Sequence, residues 1–339
     1  MPLKHGGDLG AARKLFPGAP EPLVDLSTGI NPFSYPVPRL DAEVFVRLPE
    51  PADLDRLAAI AATAYGAPSA DHVVPVPGLQ IVLPMVAALA PRGRAAVLSP
   101  TFEEHARVAA LAGHTVREVA APPELAEAEL AIVVNPNNPD GRLIARETLL
   151  ALADALAPGL LVVDEAFMDA SAEPAASLAA DVGCRNLVVL RSFGKFFGLA
   201  GLRLGFVLAA PEIAARLAAT LGPWAVSGPA LAAGAVALAD TAWIAGMRAR
   251  LADTARRLDT LLIAAGLEVA GGTTLFRLVR TPSAADLFDR LGRAGILVRR
   301  FARRPSWLRF GLPGSETEWQ RLASALSVDA APGAICEEK

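Results

Sequence analysis

The middle of the chain alternates short, wholly apolar runs with longer segments in which apolar residues recur every three or four positions. The apolar runs, which predict strands, are 95–98, 130–134, 160–163, 187–190 and 204–208. The periodic segments, which predict helices, are 53–65, 79–90, 103–112 and 146–157. Apolar strands that alternate with helices are typical of sheets buried on both faces. The pattern therefore predicts an α/β fold with a mostly parallel central sheet.

The remainder of the chain predicts a second, smaller α/β domain. A helical stretch over about 231–265 precedes a strand pattern at 268–279, a helix near 283–294 and further strand patterns at 296–301 and 307–311. The N-terminal segment is rich in Gly and Pro and too irregular to fold alone, so we expect it to pack near the active cleft and the small domain. The expected parts are an N-terminal segment 1–45, a large domain 46–235, a small C-terminal domain 236–330 and a tail 331–339.

Composition excludes several classes of protein. Hydrophobic residues make up 53% of the 339 residues and charged residues 20%, which is not typical of a disordered chain. The 32 basic and 35 acidic residues give a net charge of −3, so no basic surface for nucleic acid or an anionic membrane is expected. The two cysteines, Cys184 and Cys336, suit a reducing compartment. We expect a cytoplasmic protein.

One uncharged stretch, 217–239, is long enough to cross a bilayer. It contains Gly222, Pro223, Gly228 and Pro229, and its apolar content is mostly Ala. Because Gly-Pro steps break helices and Ala contributes little to membrane insertion, we expect a buried connector and no membrane partner.

Polar residues follow three of the predicted strands. The run 130–134 leads into an amide-rich turn at 135–141, and the run 160–163 leads into Asp164. The run 187–190 leads to Lys195. Because ligands of open parallel sheets bind beyond the carboxyl ends of the strands, we expect these groups to converge at one edge.

Lys195 is the leading candidate catalytic residue. Most lysines keep their charged ends in solvent, but a lysine just past a buried strand has an unusual setting, and a desolvated amine is a useful nucleophile. Ser192 and Arg203 lie three residues before it and eight after it. With backbone amides they would form a phosphate cradle beside the amine.

The segments 135–141, 164–167 and 192–205 resemble the signature of fold type I pyridoxal-phosphate enzymes, the aspartate aminotransferase superfamily. Within it the chain is closest to the histidinol-phosphate aminotransferase-like branch. The motifs HGGD at 5–8, DLSTGINP at 25–32, RLPE at 47–50 and DEAFMD at 164–169 are similar to the threonine-phosphate decarboxylase family of cobalamin biosynthesis. The resemblance covers nearly the whole chain.

This resemblance implies pyridoxal 5'-phosphate as the cofactor and a phosphorylated amino acid as the substrate. The implied reaction is decarboxylation of L-threonine O-3-phosphate to (R)-1-amino-2-propanol O-2-phosphate, and transamination of the histidinol-phosphate type is the alternative. A homodimer with the cofactor at its interface is also implied. A non-catalytic ligand-sensing module on the same fold and a dinucleotide-dependent oxidoreductase are weaker alternatives, because Lys195 is present and the glycine spacing after it does not match the dinucleotide fingerprint.

The resemblance also assigns the cofactor contacts. Lys195 would form the Schiff base with the cofactor aldehyde, and Asp164 would keep the pyridine nitrogen protonated, so that the ring accepts electrons. Asn138 would donate to the cofactor 3-hydroxyl, and Phe102 would stack on the ring. The phosphate would be bound by Gly78, Leu79, Gln80, Ser192 and Arg203, the first three at the start of a helix.

The substrate contacts implied by the resemblance are His5, Thr28, Gly29, Asn138, Arg299 and Arg309. Arg309 matches the arginine that binds the α-carboxylate, for which a guanidinium is suited by its bidentate geometry. Arg299 matches a position that binds the distal phosphate, although charge runs are usually solvated, and its neighbours Arg300, Arg303 and Arg304 are expected at the surface. The remaining histidines, His72, His105 and His114, show no metal-ligand spacing, so no metal is expected.

Two positions depart from the pattern of aminotransferase relatives. Many of these have tyrosine where this chain has Phe167 and Leu48. The first hydroxyl would bind the cofactor 3-hydroxyl, and the second would reach the phosphate of the neighbouring subunit's cofactor. Their absence changes how the cofactor is held and polarised, which argues against ordinary transamination.

Overall fold

The computed structural model describes residues 6–183 and 186–327; His5, Cys184 and Cys336 lie outside these ranges. The strands are β1 (Val24–Leu26), β2 (Val73–Val76), β3 (Arg94–Leu98), β4 (Thr115–Val119), β5 (Leu130–Val134), β6 (Leu160–Asp164), β7 (Leu187–Ser192), β8 (Gly205–Ala209), β9 (Glu268–Thr273), β10 (Phe276–Arg280), β11 (Ile296–Arg300) and β12 (Trp307–Gly311). The helices are α1 (Leu9–Leu15), α2 (Glu43–Val46), α3 (Pro51–Tyr65), α4 (Leu79–Ala87), α5 (Glu104–Leu111), α6 (Arg146–Leu156), α7 (Phe193–Phe196), α8 (Pro211–Leu221), α9 (Gly228–Ala239), α10 (Thr241–Ala264), α11 (Ala284–Arg293) and α12 (Glu316–Leu326).

The described residues form two compact units. The small unit comprises 6–32, 253–271 and 276–327, and the large unit comprises 33–252 and 272–275. These boundaries differ from the expected divisions after 45 and 235, because the N-terminal segment contributes to both units and α10 runs through the second boundary. The expected assignment of roles to the domains stays a prediction.

A seven-stranded sheet with the order β2-β8-β7-β6-β5-β3-β4 forms the centre of the large unit. Strands β4, β3, β5, β6 and β7 are parallel, whereas β8 and β2 are antiparallel to their neighbours. Every residue of β5 and β6 is buried. This confirms the predicted α/β fold with a mostly parallel sheet. The sequence pattern missed β2 and β4, of which β4 is largely exposed and therefore lacks an apolar run.

The helices of the large unit cover the sheet with one apolar face each. In α6 the buried residues Leu149, Leu152, Ala153 and Leu156 follow the spacing of a single helix face. Helix α3 begins with Pro51 in its first turn and ends at Gly66, whose φ of 75° is the left-handed conformation that glycine adopts readily.

A five-stranded sheet with the order β1-β11-β12-β10-β9 forms the small unit. Strand β1 is parallel to β11, whereas β12 is antiparallel to both β11 and β10. The core residues Phe276, Leu308 and Phe310 of this sheet are fully buried. The antiparallel register places Arg299 directly opposite Arg309.

The helical stretch expected over 231–265 is two helices, since the chain breaks at Asp240 between α9 and α10. One carboxylate oxygen of Asp240 accepts a hydrogen bond from the Trp243 amide at 2.9 Å, and the other accepts one from the Tyr35 hydroxyl at 3.2 Å. A side chain that caps the second helix in this way favours a new helix start over continuation.

Within the described residues no single helix is long and apolar enough to span a membrane. Helices α9 and α10 together meet the criterion of length and composition, but they are bent by 78° at their junction. Seven of the twelve residues of α9 are buried inside the large unit.

The structure predicts opposite effects for two helical glycines. A methyl group at Gly292 would overlap the Phe16 ring, so Gly292→Ala is expected to destabilise the protein by about 1–3 kcal/mol through overpacking. Gly246 has no neighbour within 4 Å of the same position, so Gly246→Ala is expected to stabilise the protein by about 0.5–1 kcal/mol through helix propensity. Urea unfolding of both variants checks the difference, and equal effects would contradict the packing described.

Candidate active site

The carboxyl ends of β5, β6 and β7 lie side by side in the large unit. Val134 pairs with Asp164, and Asp164 pairs with Leu190, so the residues that follow each strand begin at the same edge of the sheet. The structure thus brings the amide-rich turn, the carboxylate and the lysine-bearing segment to neighbouring positions, as the strand pattern predicts.

Asp164 is a buried carboxylate with defined partners. Its Oδ1 accepts a hydrogen bond from the Ala166 amide at 2.9 Å, and its Oδ2 lies 2.8 Å from Nε2 of His105. Both side chains are buried. An amide donor and an imidazole partner hold the carboxyl group in one orientation, which suits it to face a ring nitrogen.

His105 is the site residue that the sequence did not reveal. The sequence marks it only as a histidine without metal-ligand spacing, and it lies 59 residues before Asp164. Its amide donates to the Phe102 carbonyl at 3.1 Å, and its ring packs edge-on against the Phe102 ring with centroids 5.8 Å apart. Its position three residues after Phe102, the predicted ring-stacking residue, was the sequence feature that could have indicated a place in the site.

Lys195 lies in α7, a single turn of helix directly after β7. Its Nζ is 4.8 Å from the centroid of the Phe167 ring, and the side chain is half-buried. The helix rests on stacked aromatic rings, since Phe193 and Phe197 lie 4.4 Å apart. The amine is therefore held above an aromatic face, next to the ends of β6 and β7.

Gly78 and Arg203, two of the residues expected to bind the cofactor phosphate, lie against each other at the start of α4. Gly78 precedes α4 with a φ of 82°, and a Cβ there would lie 2.7 Å from Nη2 of Arg203. The Arg203 guanidinium therefore covers the start of α4, where the first backbone amides of a helix have no partner within the helix. A guanidinium beside the first amides of a helix is a set of donors that suits a phosphate group.

Gln80 is expected to contribute a backbone amide at the start of α4. Its side-chain amide donates to Glu104 at 2.9 Å, so only its backbone amide, like that of Leu79, faces the start of α4. Ser192 is half-buried at the end of β7, where it pairs with Gly205.

The amide-rich turn uses two of its three asparagines to hold itself. The Asn135 side chain makes two hydrogen bonds with the backbone of Ile144, and the Asn137 side chain bonds to Thr101, the Pro100 carbonyl and Asp140. Asn138 is half-buried on the turn that they fix. Asn138, which is expected to bind the cofactor, is thus placed by the buried Asn135 and Asn137 that precede it.

The small unit contains a second cluster, built on two arginines. Arg309 is buried, and its Nη2 donates to the Ser27 carbonyl at 2.9 Å. Burial and, to a smaller extent, the nearby Arg299 guanidinium lower the pKa of Arg309 to about 9, although the Asp25 carboxylate opposes the shift. Two opposed cations on adjacent strands are unfavourable unless an anion accompanies them.

The segment after β1 closes over this cluster. The Gly7 amide donates to the Ser27 hydroxyl at 2.8 Å, and a Cβ at Gly311 would overlap the Thr28 carbonyl. Thr28 and the buried Gly29 therefore lie beside the strand that carries Arg309, as expected. His5 lies outside the described residues.

The other basic residues of this region are exposed. Arg300 and Arg304 lie over the rings of Phe288 and Trp307, at 4.8 and 5.5 Å, on the surface of the small unit, and Arg303 is exposed as well. Over 6–183 and 186–327, no group of three or more His, Cys, Asp or Glu side chains is arranged to hold a metal.

Comparison with known proteins identifies the family of this chain. The profile of the aminotransferase class I and II family matches residues 62–326. A threonine-phosphate decarboxylase of Sinorhizobium sp is 47% identical over 332 residues, which cover 96% of this chain and 98% of that relative. A threonine-phosphate decarboxylase of Pseudomonas aeruginosa is 43% identical over 329 residues, which cover 96% and 97%.

A solved structure shares the fold. Histidinol-phosphate aminotransferase from Sinorhizobium meliloti in complex with pyridoxal-5'-phosphate aligns with a TM-score of 0.78 at 22% identity, over 94% of this chain and 93% of that chain. The chain belongs to the class I and II aminotransferase family, a family of pyridoxal 5'-phosphate-dependent enzymes.

The charge state of Arg309 predicts a pH-dependent anion effect. Because its pKa is about 9, the guanidinium is charged at pH 7–8 and loses its proton as the pH rises through that value. Inorganic phosphate is therefore expected to raise the unfolding temperature of the cofactor-loaded protein at pH 7–8 and to raise it less above about pH 9. Differential scanning calorimetry at constant ionic strength measures this increment.

Two variants serve as references for that measurement. Arg309→Gln is expected to lose most of the phosphate effect, whereas the exposed Arg304→Gln keeps it. A phosphate effect that is the same in Arg309→Gln, or unchanged up to pH 10, would contradict this assignment.

Proposed function

We propose that this protein decarboxylates L-threonine O-3-phosphate to (R)-1-amino-2-propanol O-2-phosphate with pyridoxal 5'-phosphate, a step in cobalamin biosynthesis. The proposal is supported first by the 47% and 43% identity to threonine-phosphate decarboxylases over nearly the whole chain. The proposed location is the cytoplasm, for which the low cysteine content is the support.

The residues of the large unit fit the cofactor. The Gly78–Arg203 cradle suits its phosphate, Phe102 suits its ring, and Asp164 suits its pyridine nitrogen. When bound, the cofactor accepts the electrons of a bond broken at the amino acid Cα. Lys195 supplies the amine that binds the cofactor aldehyde and, once free, exchanges a proton at Cα.

Asp164 and His105 act together on the proton of the ring nitrogen. A carboxylate beside that nitrogen favours its protonated form, because the two charges attract in a buried site. His105 and the Ala166 amide bind Asp164 from the other sides and fix its direction. The protein thus keeps the cofactor in the form that withdraws electrons.

The pair of Arg299 and Arg309 supports the proposed class of substrate. Arg299 and Arg309 are cross-strand neighbours, and their two positive charges lie close enough for Arg299 to lower the pKa of Arg309. A substrate with a carboxylate and a phosphate would offer one anion to each guanidinium, whereas an unphosphorylated amino acid offers a single anion. A phosphorylated amino acid is therefore the substrate class that the small unit favours.

The substrate's orientation decides which bond at Cα breaks. The bond perpendicular to the cofactor ring is the one whose electrons the ring accepts, and Arg309 sets the direction of the carboxylate. Phe167 offers the Lys195 amine a ring face without a hydroxyl. The orientation of the substrate carboxylate would thus decide between loss of carbon dioxide and amino transfer.

Purified protein is expected to release carbon dioxide from L-threonine O-3-phosphate at least about 100-fold faster, by kcat/KM, than from L-threonine, because the second lacks the anion for Arg299. Lys195→Ala is expected to abolish release, and borohydride treatment is expected to attach the cofactor to Lys195, as detected by peptide mass spectrometry. Amino transfer from glutamate to imidazole-acetol phosphate without carbon dioxide release would instead assign the histidinol-phosphate type of activity.

We also propose a homodimer, supported by the family resemblance and by an apolar surface of the large unit. Phe45, Val46 and Leu48 are 67%, 83% and 64% exposed, and they follow one another at the end of α2. Adjacent exposed side chains of this size are typical of an interface. A second copy of the chain is the occupant that the resemblance implies.

Sedimentation equilibrium tests this assembly. The parent protein is expected to sediment with twice the 35.2 kDa mass of the chain. Phe45→Glu combined with Val46→Glu is expected to shift it toward the monomer, because buried charges oppose association. Ile263→Glu, at an equally exposed apolar residue of α10, is the control and should stay dimeric; a monomeric parent protein would reject the proposal.

A further inference from the structure

The ends of β6 and β7 present different residues to the two faces of the large sheet. Side chains alternate along a strand, so Asp164 and Ser192 share the face that carries Val162 and Leu190. Glu165 and Arg191 therefore lie on the opposite face. The contacts of the Asp164 side chain with His105 and the Ala166 amide belong to the first face.

A buried ion cluster, defined as Arg191, Glu165 and Asp169, occupies that opposite face. Nη1 of Arg191 donates to Glu165 Oε2 at 2.8 Å, and its Nη2 donates to Asp169 Oδ1 at 2.7 Å. The three side chains are 4%, 0% and 5% exposed. The guanidinium lies 4.5 Å from the centroid of the Tyr65 ring, so an aromatic face covers it from α3.

The cluster is fixed to its surroundings by further hydrogen bonds. Glu165 accepts from the Ser177 hydroxyl and the Leu178 amide, each at 2.7 Å. From α10, Nε of Arg248 donates to the Asp169 carbonyl at 2.8 Å. Each charged member is therefore held in one position.

The charges of the cluster depend on one another. Burial raises the pKa of Glu165, whereas the Arg191 guanidinium and the hydrogen bonds from Leu178 and Ser177 lower it. Burial lowers the pKa of Arg191, but the carboxylates of Asp169 and Glu165 reverse this to a net rise. Buried ion pairs contribute little to stability compared with apolar residues of similar size, so a geometric role better explains this arrangement.

The members of the cluster are sequence neighbours of the proposed catalytic groups. Glu165 follows Asp164 directly, and Asp169 lies two residues after Phe167. Arg191 precedes Ser192 directly and Lys195 by four residues. The two hydrogen bonds from one planar guanidinium thus join the segment that carries the acid to the segment that carries the lysine.

We infer that Arg191 is a positioning residue which, through Glu165 and Asp169, fixes Asp164 relative to Ser192 and Lys195. The inference rests on the proposed function, because it concerns the groups that would hold the cofactor. Arg191 itself lies on the far face of the sheet from them and acts only through the two strand ends.

Two variants separate this role from a contribution to stability. The triple variant Glu165→Gln, Asp169→Asn and Arg191→Met removes all three charges together and so leaves no buried charge unpaired, while the methionine side chain fills part of the arginine's volume without donating hydrogen bonds. Arg191→Lys keeps the charge but cannot form both hydrogen bonds from one rigid plane. As a matched control, Arg146→Met with Asp181→Asn removes a partly buried ion pair elsewhere in the large unit.

The triple variant is expected to unfold within about 4 °C of the parent apoprotein, since removing all members of a buried ion cluster together leaves no buried charge unpaired. Its Kd for pyridoxal 5'-phosphate is expected to rise about tenfold or more, as for other residues that orient binding groups. At saturating cofactor, the visible circular dichroism of the bound cofactor is expected to fall, and kcat is expected to fall about tenfold with KM nearly unchanged. Arg191→Lys is expected to lie between the parent and the triple variant.

The outcomes distinguish the positioning role of Arg191 from the proposed function of the protein. Unchanged cofactor affinity and unchanged visible circular dichroism in either variant would overturn the positioning role, and so would equal losses in the control variant. If the parent protein itself does not bind pyridoxal 5'-phosphate, the proposed function fails instead.

Discussion

The parallel pairing of β5, β6 and β7 is the constraint on which the rest of the large unit depends. Because their register places Val134, Asp164 and Leu190 side by side, the residues that follow these strands start at one edge of the sheet. The strands hold this register because β5 and β6 are buried along their whole length and are apolar up to Asp164. A slip of one residue would turn Asp164 to the opposite face and separate it from His105.

Buried polar contacts then refine what the strands place approximately. His105 and the Ala166 amide orient Asp164 on one face, and Arg191 binds Glu165 and Asp169 on the other. Each of these groups would be costly to bury without its partner, which restricts the strand ends to a single arrangement. A covalent cofactor with several fixed contacts requires this kind of definition.

The small unit differs in that two cations lie opposite each other on adjacent strands, with the Asp25 carboxylate near Arg309. Arg299 and Arg309 face the same side of the sheet, and burial and Arg299 together lower the pKa of Arg309. Binding an anionic ligand would relieve this repulsion, so the ligand contributes stability as well as specificity. An anionic substrate class follows from the electrostatics of two adjacent strands.

The sequence by itself determined the α/β fold, the strands that bear the site, and the candidates Asp164 and Lys195, since apolar periodicity and local motifs are properties of neighbouring residues. Arg309 was implied by the family resemblance alone. Only the tertiary structure decided the pairing of His105 with Asp164, the cluster around Arg191, the diversion of the Gln80 side chain to Glu104 and the helix break at Asp240. The first three of these are contacts between residues that lie 59, 26 and 24 positions apart in the sequence. Such contacts depend on how strands and helices pack, which local periodicity does not encode.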